Sequence, residues 1–342
     1  MTPMPTQTPD ELLTMELARY YADPLGFVMM AYPWKQTGTE LEHEKGPDEN
    51  QKQFLIDLGK EVTERAFNGT DPVMPILMTE TSGHGTGKSV MGAWIADWIL
   101  STRPDSIGTV TAGTFTQLES RTWAAIQHWT KLCITGHWFH IQARGVYHKL
   151  RPKTWKIVAQ TCKEENAQAF AGQHARTSTS WYLFDEASLI PDKVWTVAQG
   201  GLTDGQPMFF AWGQCERNTG RFYEINFGSK EHRWNHRTVD SRQSRFTNKA
   251  PARARPDRVR RRLGLRSGAH PRAAARRQRT AVHRSGQDSG RAGTAGRHLR
   301  RRSADCGLRR FGRRICLERG AIPARHGRPV DSPDPDSRRA DA

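Results

Sequence analysis

The segment Ser82-Gly83-His84-Gly85-Thr86-Gly87-Lys88-Ser89 combines the residue types needed to hold a triphosphate. Its three glycines tolerate positive φ, so backbone N–H groups can turn inward together on phosphate oxygens, and a helix beginning at its end adds partial positive charge. Lys88 would then reach the β- and γ-phosphates of ATP, and the Ser89 hydroxyl would ligate Mg²⁺. The spacing departs from G-x-x-x-x-G-K-[ST] at the first glycine, where this chain has Ser82. Further along, Trp181-Tyr182-Leu183-Phe184-Asp185-Glu186 is a run of strand formers ending in two acids. Carboxylates at the end of a buried strand are costly unless their charge is used. Paired with a phosphate loop, Asp185 would hold the metal through water and Glu186 would polarise the attacking water as general base. The apolar run Phe209-Phe210-Ala211-Trp212-Gly213 ends in Gln214, an amide able to sense a γ-phosphate or to position water; an ordinary core strand is the other reading of that run.

These groups need elements that bring them together. Residues 75–80 read as a short buried strand and residues 88–101 as a helix that is apolar nearly all round, which puts the glycine loop at a strand-to-helix junction. The coarse order continues with strand 107–112, helix 115–133, strand 155–160, helix 164–170, strand 180–185 and strand 207–213, after a first helix over 51–67. Such alternation predicts an α/β fold of the P-loop NTPase type, with a mostly parallel central sheet and flanking helices. Ligand chemistry then gathers at the carboxyl ends of the strands, where Lys88, Asp185 and Gln214 would all lie.

Composition divides the chain. It carries 52 basic and 35 acidic residues, yet residues 251–342 alone hold 26 arginines against 8 acids, leaving 26 basic and 27 acidic residues before them. The tail has no Lys, Asn, Tyr, Trp or Met and a single Phe, Phe311, whereas a nucleic-acid arm is expected to mix lysine with arginine and to interleave aromatics. Its Arg, Ala, Gly, Pro, Asp and Ser are largely the products of GC-rich codons, which predicts a frameshift near residues 249–256 and a disordered tail. The five cysteines include no C-x-x-C pair, so neither a zinc site nor a disulfide framework is indicated. No secretory signal and no run long enough to span a bilayer is read.

Several segments together resemble the ATPase half of large terminase subunits, the DNA-packaging motors of tailed bacteriophages and prophages. They are Tyr21-Ala22-Asp23-Pro24 with Tyr32-Pro33-Trp34, Gly46-Pro47-Asp48-Glu49-Asn50-Gln51, Val110-Thr111-Ala112-Gly113-Thr114, Phe170-Ala171-Gly172-Gln173-His174, and Phe209 to Gln214 followed by Arg217-Asn218-Thr219-Gly220-Arg221-Phe222. The resemblance covers most of residues 10–228. It implies an N-terminal segment or lid over 1–50, an ATPase domain over 51–228 and a linker over 229–250, followed by the anomalous tail over 251–342. It further implies adenine reading by Gln51 and coupling of hydrolysis to movement through Gln214. By resemblance, the substrate is double-stranded DNA and the partners are a portal protein, a small terminase subunit and further copies of the chain on a procapsid. The setting is the cytoplasm of an infected or lysogenic bacterium. The chain has Asn50 where the family usually has an aromatic, Gln214-Cys215 where it usually has an asparagine and a proline, and His84 where many members have an arginine. The transition-state arginine is thus unassigned within the loop, and a neighbouring subunit could supply it. The nuclease that follows the ATPase in full-length family members has no counterpart in the tail. A helicase or translocase on the same core, or a truncated prophage remnant that binds ATP and DNA without turnover, are the alternative readings.

Overall fold

The computed structural model describes residues 7–246, and local sequence signals account for most of their elements. Helix α1 (Pro9–Leu17) opens on a capping box between Thr8 and Glu11, and α2 (Pro24–Ala31) starts behind Asp23, whose carboxylate accepts from the Gly26 N–H. A second capping box, Asp48 with Gln51, starts α3 (Glu49–Glu64). Strand β1 (Ile76–Ser82) then runs through the glycine loop into α4 (Lys88–Thr102). After β2 (Ile107–Ala112) come one turn of helix, α5 (Phe115–Gln117), a π-helical turn (Leu118–Trp123) and α6 (Ala124–Leu132). The hairpin β3 (Phe139–Gln142) and β4 (Gly145–His148) leads to β5 (Lys156–Ala159) and a 3₁₀ stretch, Glu164–Phe170. The remaining elements are β6 (Ser180–Asp185), α7 (Asp192–Gly200), β7 (Met208–Gly213), α8 (Arg221–Phe227) and β8 (Asn235–Val239).

Among the described residues the strands form one 8-stranded sheet in the order β3-β4-β5-β2-β6-β7-β1-β8. Every pairing from β5 to β8 is parallel, and only β3 with β4 and β4 with β5 are antiparallel. The fold is therefore a mixed α/β domain with a mostly parallel sheet flanked by helices. Side-chain alternation along the central strands divides the core by face. Leu183, Met208, Phe210 and Trp212 join the cluster beneath α3, α4 and α6, whereas Tyr182, Phe184, Phe209 and Ala211 join the one beneath α7 and α8. Burial on both faces explains why these strands read as unbroken apolar runs. It also explains α4, whose residues from Met91 to Thr102 are all buried.

The structure differs from the expected elements at several places. Within the stretch expected as a linker, β8 pairs in parallel with β1 from Asn235 opposite Met78 to Val239 opposite Ser82. Its sequence, Asn-His-Arg-Thr-Val, lacks an apolar stripe because it is an edge strand, where polar residues are normal. Within the expected N-terminal segment or lid, Phe27, Val28, Ala31 and Tyr32 lie in the main core with α3 and α4. The single helix expected over 115–133 is interrupted by the π-helical turn, and 164–170 is 3₁₀ rather than α. The β3–β4 hairpin, α7 and α8 are additional, all too short for periodicity to reveal. The predicted frameshift and the disordered tail over 251–342 lie outside the described residues.

Candidate nucleotide site

The phosphate loop is the link between β1 and α4. Ser82 is still within β1, paired with Val239, so this position needs no positive φ, and a glycine is dispensable there. Its hydroxyl shares a 3.1 Å hydrogen bond with that of Thr86, which closes the loop at its base. Gly87, the residue before α4, has φ 79°, and a Cβ built on it would lie 2.5 Å from Gln51 Nε2. Conformation and contact both demand glycine there. Lys88, buried, reaches back across the loop so that its Nζ donates to the Gly83 carbonyl at 2.8 Å.

The acidic pair closes the site from β6. Asp185 is 5% exposed, and its carboxylate is held from three directions. Oδ1 accepts the Glu186 N–H at 2.9 Å, while Oδ2 accepts the hydroxyls of Ser89, at 3.5 Å, and of Thr122. Glu186 follows in the left-handed region, φ 46° and ψ 45°, an unfavourable conformation for a residue with a side chain and one that concentrates at functional sites. Its carboxylate lies 3.8 Å from the exposed imidazole of His84. Strand β7, between β6 and β1, ends against this turn: a Cβ on Gly213 would meet the Ala187 nitrogen at 2.9 Å and the Glu186 Cα at 3.2 Å. Half-buried Gln214 comes next. Lys88, Ser89, Asp185, Glu186 and Gln214 thus gather at the carboxyl ends of three adjacent strands.

Gln51 has a different environment from that of a free base-reading amide. It is 2% exposed, its Oε1 accepts the Asp48 N–H at 2.9 Å, and its Nε2 donates to the Gly87 carbonyl at 3.1 Å. The amide braces the start of α3 against the end of the phosphate loop. The donors that converge on the loop and on Asp185 are hydroxyl, carboxylate and carbonyl oxygens, a set that suits Mg²⁺ rather than zinc or copper. Among the described residues no group of three or more His, Cys, Asp or Glu could hold a metal by itself.

No family model matches the chain. A curated protein described as a probable terminase large subunit of Enterobacteria phage P7 is 30% identical over 152 residues, covering 42% of this chain. Over that stretch the chain is similar to this one phage large terminase subunit. It spans 30% of that relative's length. Solved structures of similar arrangement include the large terminase of bacteriophage HK97, at 13% identity and TM-score 0.43, covering 64% of this chain and 43% of that one. Another is the large terminase of a thermophilic bacteriophage in complex with ADP, at 15% identity and TM-score 0.39, covering 54% and 44%.

Three residues of this chain bear on the site without having been singled out by sequence. Thr122 is fully buried in the π-helical turn and bonds Asp185. Ser244 donates to Asp48 Oδ2 at 3.2 Å and to the Gly85 carbonyl at 3.4 Å, and Arg245 donates to the Gly46 carbonyl at 2.5 Å. The segment after β8 therefore passes over the phosphate loop. A threonine in a helix and a Ser-Arg pair in a polar stretch carry no local signal of such contacts; only the sheet order brings them there.

Proposed function

We propose that this chain is the ATP-hydrolysing part of a viral DNA-packaging motor. The observation that carries the reading is the convergence of a lysine-bearing glycine loop and an acidic strand end at the same edge of a parallel sheet, in a chain related to a terminase large subunit. Loop residues 82–89 bind the phosphates, with Lys88 exchanging its bond to the Gly83 carbonyl for β- and γ-phosphate oxygens. Ser89 and Asp185 hold Mg²⁺, which supplies charge neutralisation on the transferring phosphoryl group. Glu186, adjoining in the strained turn, orients and deprotonates the attacking water. Gln214, beyond the β7 end that abuts Glu186, senses the γ-phosphate and relays its loss to the loop leading into α8.

Duplex DNA is the substrate of movement. Between Ser120 and Lys163 the chain has no Asp or Glu and eight Lys or Arg, whereas the other residues up to 250 carry 18 basic and 27 acidic side chains. That segment runs through α6 and the β3–β4–β5 edge of the sheet, so the folded domain has a cationic edge on an otherwise acidic body. Such an edge suits a phosphate backbone read without sequence preference. Assembly as a homo-oligomer with a portal and a small terminase subunit, in the cytoplasm of the bacterial host, completes the reading. Among the described residues no helix is long and apolar enough to cross a membrane.

The test is ATP turnover by the whole purified chain with and without linear duplex DNA. Turnover that DNA stimulates, and that Lys88→Ala and Glu186→Gln each lower by at least about 10²-fold, is expected. Full activity in the Glu186→Gln chain would remove the general base from this position.

A further inference from the structure

The π-helical turn between β2 and α6 delivers a buried hydroxyl to the acidic strand end. β2 and β6 are register neighbours, with Ala112 opposite Asp185, so the chain leaving β2 must pass close to Asp185. An uninterrupted α-helix would close each turn on the fourth residue. Here the widened turn closes on the fifth, so that Leu118 and Trp123, both 1% exposed, lie one above the other in the core. Thr122, 0% exposed, sits between them and donates its hydroxyl to Asp185 Oδ2. π-turns of this kind occur frequently at functional sites.

We infer that Thr122 is a positioning residue for Asp185, fixing the carboxylate so that Oδ2 is presented toward Ser89 and the metal it shares with the phosphates. The inference rests on the reading of the site as a Mg²⁺-nucleotide site. The arrangement of donors argues for positioning rather than for core satisfaction alone. Oδ1 is held by the Glu186 N–H, which belongs to the adjacent residue and cannot orient the carboxyl plane unaided. Ser89, at 3.5 Å, is a weak partner in this state and sits where a metal ligand is expected. Thr122 is then the strong side-chain donor to the remaining oxygen, and it comes from an element outside both the loop and the acidic strand. A partner of this sort restricts the rotation of a ligating carboxylate, and its removal typically costs roughly 10–100-fold in metal affinity. The same bond ties the nucleotide site to α6, which leads directly into the β3–β4 hairpin at the cationic edge.

Thr122→Val keeps the shape and removes the donor; Thr122→Ser keeps the donor and removes a methyl. The measurement uses the whole chain, a fluorescent N-methylanthraniloyl derivative of ATP, and a titration of Mg²⁺ against retained nucleotide, with a parallel measurement in EDTA. The Mg²⁺ concentration at half-maximal retention is expected to rise by roughly tenfold or more in Thr122→Val and to stay at the wild-type value in Thr122→Ser, with EDTA-state binding equal in all three chains. An unchanged midpoint in a Thr122→Val chain that still binds nucleotide overturns the inference and leaves the nucleotide site standing. A lowered melting temperature with no shift in midpoint assigns Thr122 to packing alone and overturns it equally. A wild-type chain that retains no nucleotide at any Mg²⁺ concentration overturns the nucleotide site itself, and the inference with it.

Discussion

Two acids in this chain, Asp185 and Asp97, are kept in unlike environments. Asp185 accepts three donors, from Ser89, Thr122 and the Glu186 N–H. Asp97, on α4, is buried and accepts the Tyr32 and Thr130 hydroxyls at 2.7 and 2.6 Å. Burial pushes its carboxyl up from 3.8 to about 7, against the two hydrogen bonds, which act to lower it. In the unfolded chain the group ionises near 3.8 and in the folded chain near 7, so the folded state binds the extra proton between these values. The stability this site contributes is complete below about pH 3.8 and is lost as pH rises toward 7. Melting temperatures of wild type and Asp97→Asn measured across that window should therefore follow different slopes, with the wild type losing stability more steeply as pH rises. Parallel slopes would show that Asp97 is ionised throughout. Glu186 differs from both: its backbone strain is tolerated because Gly213 packs directly against it and leaves no room for an alternative turn.

Element ends, more than element interiors, build the site. The start of α3 holds Asp48 and Gln51 in a reciprocal capping box, and the same two side chains also reach Ser244 and the Gly87 carbonyl. One helix terminus thus anchors the phosphate loop and the segment that follows β8. Asp48→Ala removes the cap and the Ser244 hydrogen bond together, and it should lower the free energy of unfolding by about 1–2 kcal/mol in urea denaturation. The same substitution should weaken nucleotide binding, since the loop loses its brace; unaltered affinity would mean that Gln51 alone holds Gly87. β8 is fastened to the same helix on its far side, with Arg237 bonded to Asp57 at 3.2 Å and Asn235 to Glu61 at 3.1 Å. Edge strand, helix α3 and phosphate loop form one braced unit, which is why the boundary expected at residue 228 does not coincide with the end of the sheet.

Across the whole described domain, charge is distributed by region. The acid-free segment from Ser120 to Lys163 supplies exposed Lys149, Arg151 and Lys153 in the connection between β4 and β5, where Arg151 also pairs with Asp105 and lies over Trp155. If this edge meets duplex DNA, Lys149→Ala with Lys153→Ala should leave basal ATP turnover unchanged and reduce its stimulation by DNA. The slope of log affinity against log salt should fall by roughly 0.9 for each phosphate no longer neutralised. An unchanged slope would place the DNA elsewhere. Much of this protein was legible from its residues alone. The glycine loop, the acidic strand end and the buried strands of the sheet announce themselves locally, because closely spaced glycines followed by a lysine suit a phosphate cradle, and a strand buried on both faces needs contiguous apolar residues. The alternating α/β order followed from the same signals. Tertiary structure alone decided what lies beside them. Thr122 meets Asp185 because β2 and β6 are neighbours, Gln51 is committed to Gly87 because α3 packs at the loop, and Asn235–Val239 becomes a strand because β1 offers it an edge. These interactions join residues far apart in the chain through hydroxyl, amide and backbone groups whose local preferences are weak, so burial and sheet order, rather than sequence pattern, determine their roles.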